Sequence, residues 1–598
     1  MAKSLPFSGQ LQARLLIILI AAVVVACYLP TLNNGFVWDD DFNFTKNINY
    51  RGLSFSHLRW MFTTFHDGNY HPLAWLTLGL DFFFWGMNPT GYHLTNIVLH
   101  GINSILFYFL IAVFLQRNAV ASNAGVAGVQ ISAVLGAVFF AVLPLRVETV
   151  AWISTRGDLL CGAFYILTII AYVRMHDNQA ANVRRKWLLL VLLFFVFSLL
   201  SRAWGITMPL VLLILDAYPL GRFDAINLSK PSTKKILAEK IPFIMLALGA
   251  AIIAVQAKKG SMILVTEHGM LERFMQATYG LCFYLFKTIL PIRLSPFYLL
   301  SKSFNPMEAK YIVSVLSVFG ITLGLTLMRR RWPWALTAWI CYAVIVSPLL
   351  GFVQSGPQIV ADRYTYIACM PFAVLAGVGV FRLWEAWQRA SLSRPVFISV
   401  ITMISAVLIV LSFVSFGQTR IWHDNYTFWN YVIKLDPDNY IAYNNRGVIL
   451  KEQKQDLIKA MDDYNAAVKL HPEYVGAYYN RGILREQQGD FAEAIADFSI
   501  VIRLDPRQAE AYNNRGGLRN SQGDSAGAME DFNTAIRLAP HSPEAYANRG
   551  MVRLAQNDLQ GAIQDFAKTL EVASTNWASR AHVENVLANV RTKVEKQD

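Results

Sequence analysis

Eleven apolar runs, each long enough to cross a bilayer, recur along the first two thirds of this chain. They lie near 12–31, 92–115, 126–145, 158–174, 186–202, 204–219, 240–257, 311–328, 333–353, 364–383 and 395–416. A hydrocarbon core of about 30 Å takes roughly 20 apolar residues as a helix. Lipid offers no partner to backbone N–H and C=O groups, so such runs must be helical. The expected architecture is therefore all-α and polytopic. A hydrophobic fraction of 55% over 598 residues exceeds what one soluble core needs. Lys3 and Arg14 precede the apolar run from Leu15 to Leu29, and no small-residue cleavage site follows it, which reads as a retained signal-anchor helix.

Basic clusters punctuate the runs: Arg14; Arg117; Arg184-Arg185-Lys186; Arg222 with Lys230, Lys234 and Lys235; Arg329-Arg330-Arg331; and Arg382, Arg389 and Arg394. Placing each cluster in the cytoplasm makes the alternate loops external. The exception is 271–309, which must begin and end outside. With Tyr279-Gly280-Leu281-Cys282-Phe283, Lys287, Pro291 and Arg293, it reads as a re-entrant or surface-lying pair of short helices. The result is about eleven crossings, with the N-terminus inside and the C-terminus outside.

Charge is unevenly divided. From Asp436 onward there are 19 Lys/Arg against 23 Asp/Glu, which leaves 34 against 17 in the apolar part. The basic surplus belongs to cytoplasmic loops and phosphate contacts, and the acidic polar part carries no basic stripe for nucleic acid. The five cysteines all fall in apolar stretches without paired spacing, so they are neither a disulfide framework nor a zinc site. No phosphate-cradling Gly-rich loop or nucleotide fingerprint occurs. Energy for any transfer must arrive already activated in the membrane.

Near residue 420 the composition changes. Asn-Arg-Gly recurs at Asn445-Arg446-Gly447, Asn480-Arg481-Gly482, Asn514-Arg515-Gly516 and Asn548-Arg549-Gly550, at spacings of 34 or 35. Each Gly follows a Tyr by four residues; Ala494, Ala528 and Ala562, then Phe498, Phe532 and Phe566, keep the same register. Pro472, Pro506 and Pro540 close the first three units. This is the tetratricopeptide pattern, paired helices stacked into a solenoid. The expected domains are 1–420, a polytopic membrane domain, and 421–598, a half repeat, four repeats and a polar cap helix.

Asp39-Asp40-Asp41 follows the first apolar run. Three consecutive carboxylates cannot enter lipid cheaply and belong at the membrane face. A carboxylate there can take a proton from a hydroxyl beside a lipid-borne reactant; the alternative is an acidic loop that helps set topology. The loop 33–92 carries Trp60, Trp75 and Trp85 with His57, His66 and His71, which suits a cover resting on the lipid boundary. His93, Asn96 and His100 share a helix face, where hydrogen bonding between helices is the favoured role. Arg146, Arg156, Arg202 and Arg363 all fall on the acids' side, and the planar guanidinium suits a lipid phosphate. Glu148, Asp158 and Asp362 accompany them, and pairing of Arg156 with Asp158 or Arg363 with Asp362 is the structural alternative.

Several stretches resemble the transmembrane and tetratricopeptide-repeat O-mannosyltransferase family and its bacterial relatives. They are Gly35-Phe36-Val37-Trp38-Asp39-Asp40-Asp41, Tyr70-His71-Pro72-Leu73, Asn88 to Asn96, Glu148-Thr149-Val150-Ala151-Trp152 and Ala361-Asp362-Arg363-Tyr364-Thr365-Tyr366. The resemblance implies a GT-C-type glycosyltransferase that uses a polyprenyl-phosphate-linked sugar on the external face. It maps the family's acidic pair onto Asp39 and Asp40, with Asp41 as a third acid. The arginines would hold the donor phosphate, and the repeats would present a protein acceptor. The triplet could also hold a divalent cation, which the arginines make dispensable. The implied location is a bacterial inner membrane, with the repeats extracytoplasmic. A non-catalytic scaffold that docks partners through the repeats explains 422–598 equally well, but leaves the acids and arginines as coincidence.

Overall fold

A computed structural model describes residues 7–119, 125–177, 180–222, 231–259, 269–300, 305–352 and 356–595. Lys3 and Lys230 of the basic clusters lie outside them. The chain forms two compact units, Met1–Phe428 and Trp429–Asp598.

The helices of the first unit are α1 Phe7–Tyr28, α2 Phe55–Thr63, α3 Pro72–Trp85, α4 Pro89–Ala119, α5 Gly125–Val142, α6 Val147–Ala151, α7 Arg156–Asp177 and α8 Ala181–Ser201. They continue as α9 Met208–Ala217, α10 Pro231–Lys258, α11 Met270–Ile289, α12 Ala309–Leu327, α13 Pro333–Val346, α14 Thr365–Ala368, α15 Met370–Gln388 and α16 Arg394–Thr419. The division between units falls within α17, Asn425–Leu435.

Among the described residues seven helices are long and apolar enough to cross a membrane, or eight if the pair Asp362–Ala368 and Met370–Gln388, bent by 56°, is one span. The other expected crossings coincide with α8, whose start carries Arg184, Arg185 and Lys186, and with the shorter apolar helices Ala203–Ala217 and Pro333–Leu349. Close approach of α5 and α15 depends on small residues. A Cβ on Gly136 would stand 3.1 Å from the Cα of Gly377.

The expected pair of short helices in 271–309 is instead one 20-residue helix, α11, followed by strand β1, Tyr298–Leu299, antiparallel to β2, Gln358–Val360. The reason is helical periodicity: Arg273, Gln276, Ala277, Gly280, Phe283, Tyr284 and Lys287 fall on one buried face. Met270, Leu271, Phe274, Phe286 and Ile289 remain exposed on the other. The apolar composition suggested a re-entrant segment, but the period is that of a single amphipathic helix.

The second unit pairs α18 Tyr440–Glu452 with α19 Leu457–Leu470, and α20 Val475–Gln488 with α21 Phe491–Leu504. It continues with α22 Ala509–Ser521 and α23 Ser525–Leu538, α24 Pro543–Ala555 and α25 Leu559–Val572, and ends on α26 Arg580–Glu595. Val583, Leu587 and Val590 of α26 cover Leu559 and Phe566 of α25. Each motif glycine faces the aromatic ring of its partner helix: a Cβ on Gly516 would meet Phe532 at 2.9 Å, and one on Gly550 would meet Phe566 at 2.8 Å.

The motif arginines have a further part, which the spacing alone did not reveal. Arg446, Arg481, Arg515 and Arg549 each donate two bonds of 2.6–3.0 Å to Asp463, Asp497, Asp531 and Asp565 of their own repeat. The remaining Nη1 reaches Asn430, Asn465, Ser499 or Asn533 on the preceding helix. One side chain thus ties both helices of a repeat to the unit before it, through the bidentate geometry that arginine favours.

Candidate active site

The acids sit on a left-handed turn. Trp38 has φ +62, an uncommon conformation for a bulky residue that its surroundings must hold in place. Its N–H donates to Asn425 Oδ1 at 2.6 Å, and its ring stacks on Trp152 at 4.7 Å and 11°. Trp152 in turn stacks on Trp422 and carries the Arg363 guanidinium 5.3 Å above its ring. The His93 Nε2–H donates to the Gly35 carbonyl at 3.3 Å, fixing the approach to the turn.

This turn gives the three acids different environments. Asp40 is buried and accepts three bonds, from Val37 N at 3.0 Å, Ser154 N at 3.1 Å and Ser154 Oγ at 2.7 Å. Asp39 is half-buried, and its buried Oδ1 has no hydrogen-bond partner. Asp41 opens the short π-turn Asp41–Thr45, where its Oδ1 accepts from Thr45 Oγ at 3.2 Å. Burial and the charge of Asp67 push the Asp39 carboxyl up to about 7. Burial and Asp39 also raise Asp40. Three donors favour the ionised form of Asp40, while Ser154, Trp152 and the Arg363 charge favour that of Asp39, both against the burial that raises the pair.

Two of the four arginines, Arg146 and Arg156, turn wholly into the fold. Arg156 is fully buried against Asp81 at 2.7 Å, and it also donates to the Tyr92 carbonyl at 2.9 Å and to Asn96 Oδ1. Arg146 is buried among helices, donating to Thr365 Oγ at 3.1 Å and lying over the Phe140 ring at 4.8 Å. Arg363 is held by Glu148, its own N–H donating to Glu148 Oε2 at 2.8 Å, and also by Gln358. Asp362 accepts from the Tyr298 hydroxyl at 3.1 Å. Arg202 and Arg363 both act on the charge of Asp158. The Arg202 Nε lies 3.2 Å from the fully buried Asp158, and its Nη1 donates to His71 Nδ1 at 3.4 Å. The Arg156–Asp158 and Arg363–Asp362 pairings considered from sequence are replaced by Arg156–Asp81, Arg363–Glu148 and Arg202–Asp158. Burial and the Arg202 charge lower His71 to about 3, so it is neutral. His100 and Asn96 bond between helices as expected, to Tyr366 Oη and the Ala141 carbonyl and to the Val150 carbonyl.

Arg202 opens onto a cavity of about 490 Å³. Apolar side chains of α8 and α10 form its walls, Leu199, Leu200, Met245, Leu246 and Val255 among them. At one end are Arg202, Lys258, Tyr364 and the turn Gly68-Asn69-Tyr70. Sequence reasoning missed Lys258; its signal was a basic residue closing an apolar run on the acids' side, against the distribution of the other clusters. It also missed Ser154, which meets Asp40 from 114 residues away. Among the described residues no group of three or more His, Cys, Asp or Glu is arranged to hold a metal ion.

The family model described as tetratricopeptide repeat matches residues 457–509, 479–543 and 521–576. Protein O-mannosyl-transferase TMTC3 of Homo sapiens is 24% identical over 508 residues, covering 78% of this chain and 52% of that protein. Protein O-mannosyl-transferase TMTC1 of Homo sapiens is 23% identical, covering 78% and 56%. The Drosophila melanogaster Tmtc1 protein is 32% identical over a shorter stretch, 34% of this chain and 23% of that one. The crystal structure of MamA aligns with 25% of this chain and 85% of its own, at 24% identity and a TM-score of 0.23. The chain spans about half the length of the curated relatives it matches. With apolar helices ahead of a tetratricopeptide array and similarity along 78% of its length, the chain is a homologue of the TMTC proteins named protein O-mannosyl-transferases.

Proposed function

We propose that the first unit is a membrane glycosyltransferase of the GT-C type, moving a hexose, mannose in the first instance, from a polyprenyl phosphate to Ser/Thr hydroxyls of proteins. The observation that carries this reading is an apolar cavity lined by two cations, Arg202 and Lys258, and by the turn Gly68-Asn69-Tyr70 that follows Asp67, a carboxylate whose charge acts on Asp39. The cations suit a lipid phosphate, the walls suit its prenyl chain, and Asp39 suits the task of general base. The acceptor oxygen attacks the anomeric carbon as the bond from that carbon to the phosphate oxygen breaks. Asp39 takes the hydroxyl proton, the sugar inverts, and Arg202 and Lys258 stabilise the charge that gathers on the departing phosphate. Asp40, held by three donors, keeps the turn in place. Arg146 and Arg156 act inside the fold and not on the donor.

The site belongs to the extracytoplasmic face. α7 carries Asp158 in its first turn and Arg174, His176 and Asp177 in its last, where Asp177 pairs with Arg117 at 2.9 Å. Arg117, Arg184 and Arg222 thus gather at the end of α7 away from Asp158, as the positive-inside rule requires of a cytoplasmic face. The repeats would hold the acceptor protein in the same compartment, a common use of such solenoids. Full-length protein in lipid nanodiscs, given polyprenyl-phosphate mannose and a Ser/Thr peptide, should yield mannosylated peptide by mass spectrometry. Absence of product across hexosyl donors, with the lipids bound no better than by an unrelated membrane protein, would leave the scaffold reading instead.

A further inference from the structure

Between the acid turn and the cavity cations stands a carboxylate that the mechanism above does not use. Asp67 lies in the turn His66–Gly68 with φ +52 and ψ 34, and Gly68 follows at φ +64. A left-handed non-glycine residue persists where its surroundings demand it. Three contacts fix this turn. The His66 ring stacks on Phe42 at 4.8 Å and 11°, which clamps it to the segment just after Asp39 and Asp40. The turn packs against α10, the helix that ends at Lys258. Gly68, Asn69 and Tyr70 continue directly into the wall of the 490 Å³ cavity, beside Arg202. The Asp67 side chain is exposed. Its charge acts on Asp39, and the charges of Arg202 and Lys258 act on it.

That position has one chemical meaning if the proposed transfer is right. In an inverting displacement the base and the leaving phosphate lie on opposite sides of the anomeric carbon, so whatever faces both ends flanks the sugar ring. An ionised carboxylate only accepts hydrogen bonds, through two oxygens, and so matches two vicinal hydroxyls. It would repel the phosphate and so does not belong to the phosphate site.

We propose that Asp67 is the sugar-recognising residue of the donor site, accepting hydrogen bonds from two neighbouring hydroxyls of the hexose and so selecting hexosyl over sugar-free polyprenyl phosphate. This rests on the glycosyl-transfer reading. The test uses the full chain in nanodiscs, with polyprenyl phosphate, polyprenyl-phosphate mannose and its 2-deoxy analogue as probes. Asp67→Asn suits the purpose because asparagine also tolerates the left-handed backbone. It should weaken binding of the mannosyl lipid about tenfold or more, as expected for loss of hydrogen bonds to a charged acceptor. Binding of sugar-free polyprenyl phosphate should stay the same or tighten, because a negative charge has left the neighbourhood of Arg202 and Lys258. The 2-deoxy donor should bind the wild type less well than the mannosyl donor, and Asp67→Asn should narrow that gap. A parallel loss of both phosphate lipids would show that Asp67 only supports the fold, and no change in either would show that it faces no sugar. Each of those results overturns this proposal while leaving the transfer reading intact. A wild type that binds none of the three lipids overturns both.

Discussion

Two adjacent carboxyls in a half-dry turn cannot both ionise cheaply, and the turn at Trp38 resolves the conflict by hydrogen bonding. Asp40 is tied down by three donors, whereas Asp39 keeps one oxygen without a partner that is free to take up a proton. A base must be ionised, so transfer should rise with pH through about 7, the region to which burial and Asp67 push Asp39. Removing the neighbouring charge with Asp67→Asn should move that midpoint to lower pH, read from kcat across a pH series. Asp39→Asn should reduce kcat by about 10²–10⁴ while donor binding persists. The arginines divide in the same manner. Arg156→Ala would leave Asp81 buried and unpaired, a loss of about 3–5 kcal/mol that a fall in Tm in detergent would register. Arg202→Ala should weaken binding of the donor lipid and lower Tm as well, because it leaves the fully buried Asp158 without its cation. The acids and arginines were legible as candidates from residue type and position, but their partners were not. Arg156 and Asp158 stand two apart in the first turn of α7, and residues so spaced on a helix do not face each other. Each therefore took a partner from elsewhere in the chain, Asp81 and Arg202.

At the scale of elements, the helices were written plainly and the interruptions were not. Apolar runs and the 34-residue period placed the long helices, because burial at a fixed period is what both record, but not α2, α3 and α6, which lie in stretches read as loops. The region 271–309 was misread because short apolar segments near a membrane can lie in several ways. Its outcome turned on which residues shared a face, with Arg273, Gln276 and Lys287 turned inward on α11. The small turns of the candidate site left no periodic signal at all: Trp38 takes left-handed backbone at a residue type that does not advertise it. Within the repeats, Arg515 is the element's clasp, with bonds to Asp531 and Ser499. Arg515→Ala should lower the stability of the array by about 2 kcal/mol, measured as a shift in the urea midpoint by far-ultraviolet circular dichroism. An unchanged midpoint would mean that the apolar seam alone holds the repeats.

At the scale of the whole molecule, sidedness is the question that charge distribution answers first. Ser521 is exposed at the end of α22, so a Ser521→Cys variant should react with a membrane-impermeant maleimide in intact cells if the repeats are extracytoplasmic. Labelling only after permeabilisation would invert the topology. A chain truncated after Phe428, the end of the first compact unit, should still bind donor lipid and transfer to short peptides. It should lose rate on protein acceptors, because a tethered docking surface raises local acceptor concentration. The arginine clasps carry one more implication. Each repeat brings its own fastener to the repeat before it and asks nothing of distant residues, so length is a free variable that changes in whole links. Duplicating residues 480–513 should splice in one more link without disturbing its neighbours, whereas adding half that number would leave a clasp closing on nothing. Such a chain can acquire or shed reach for different clients by tandem duplication, while the machinery in the membrane stays untouched.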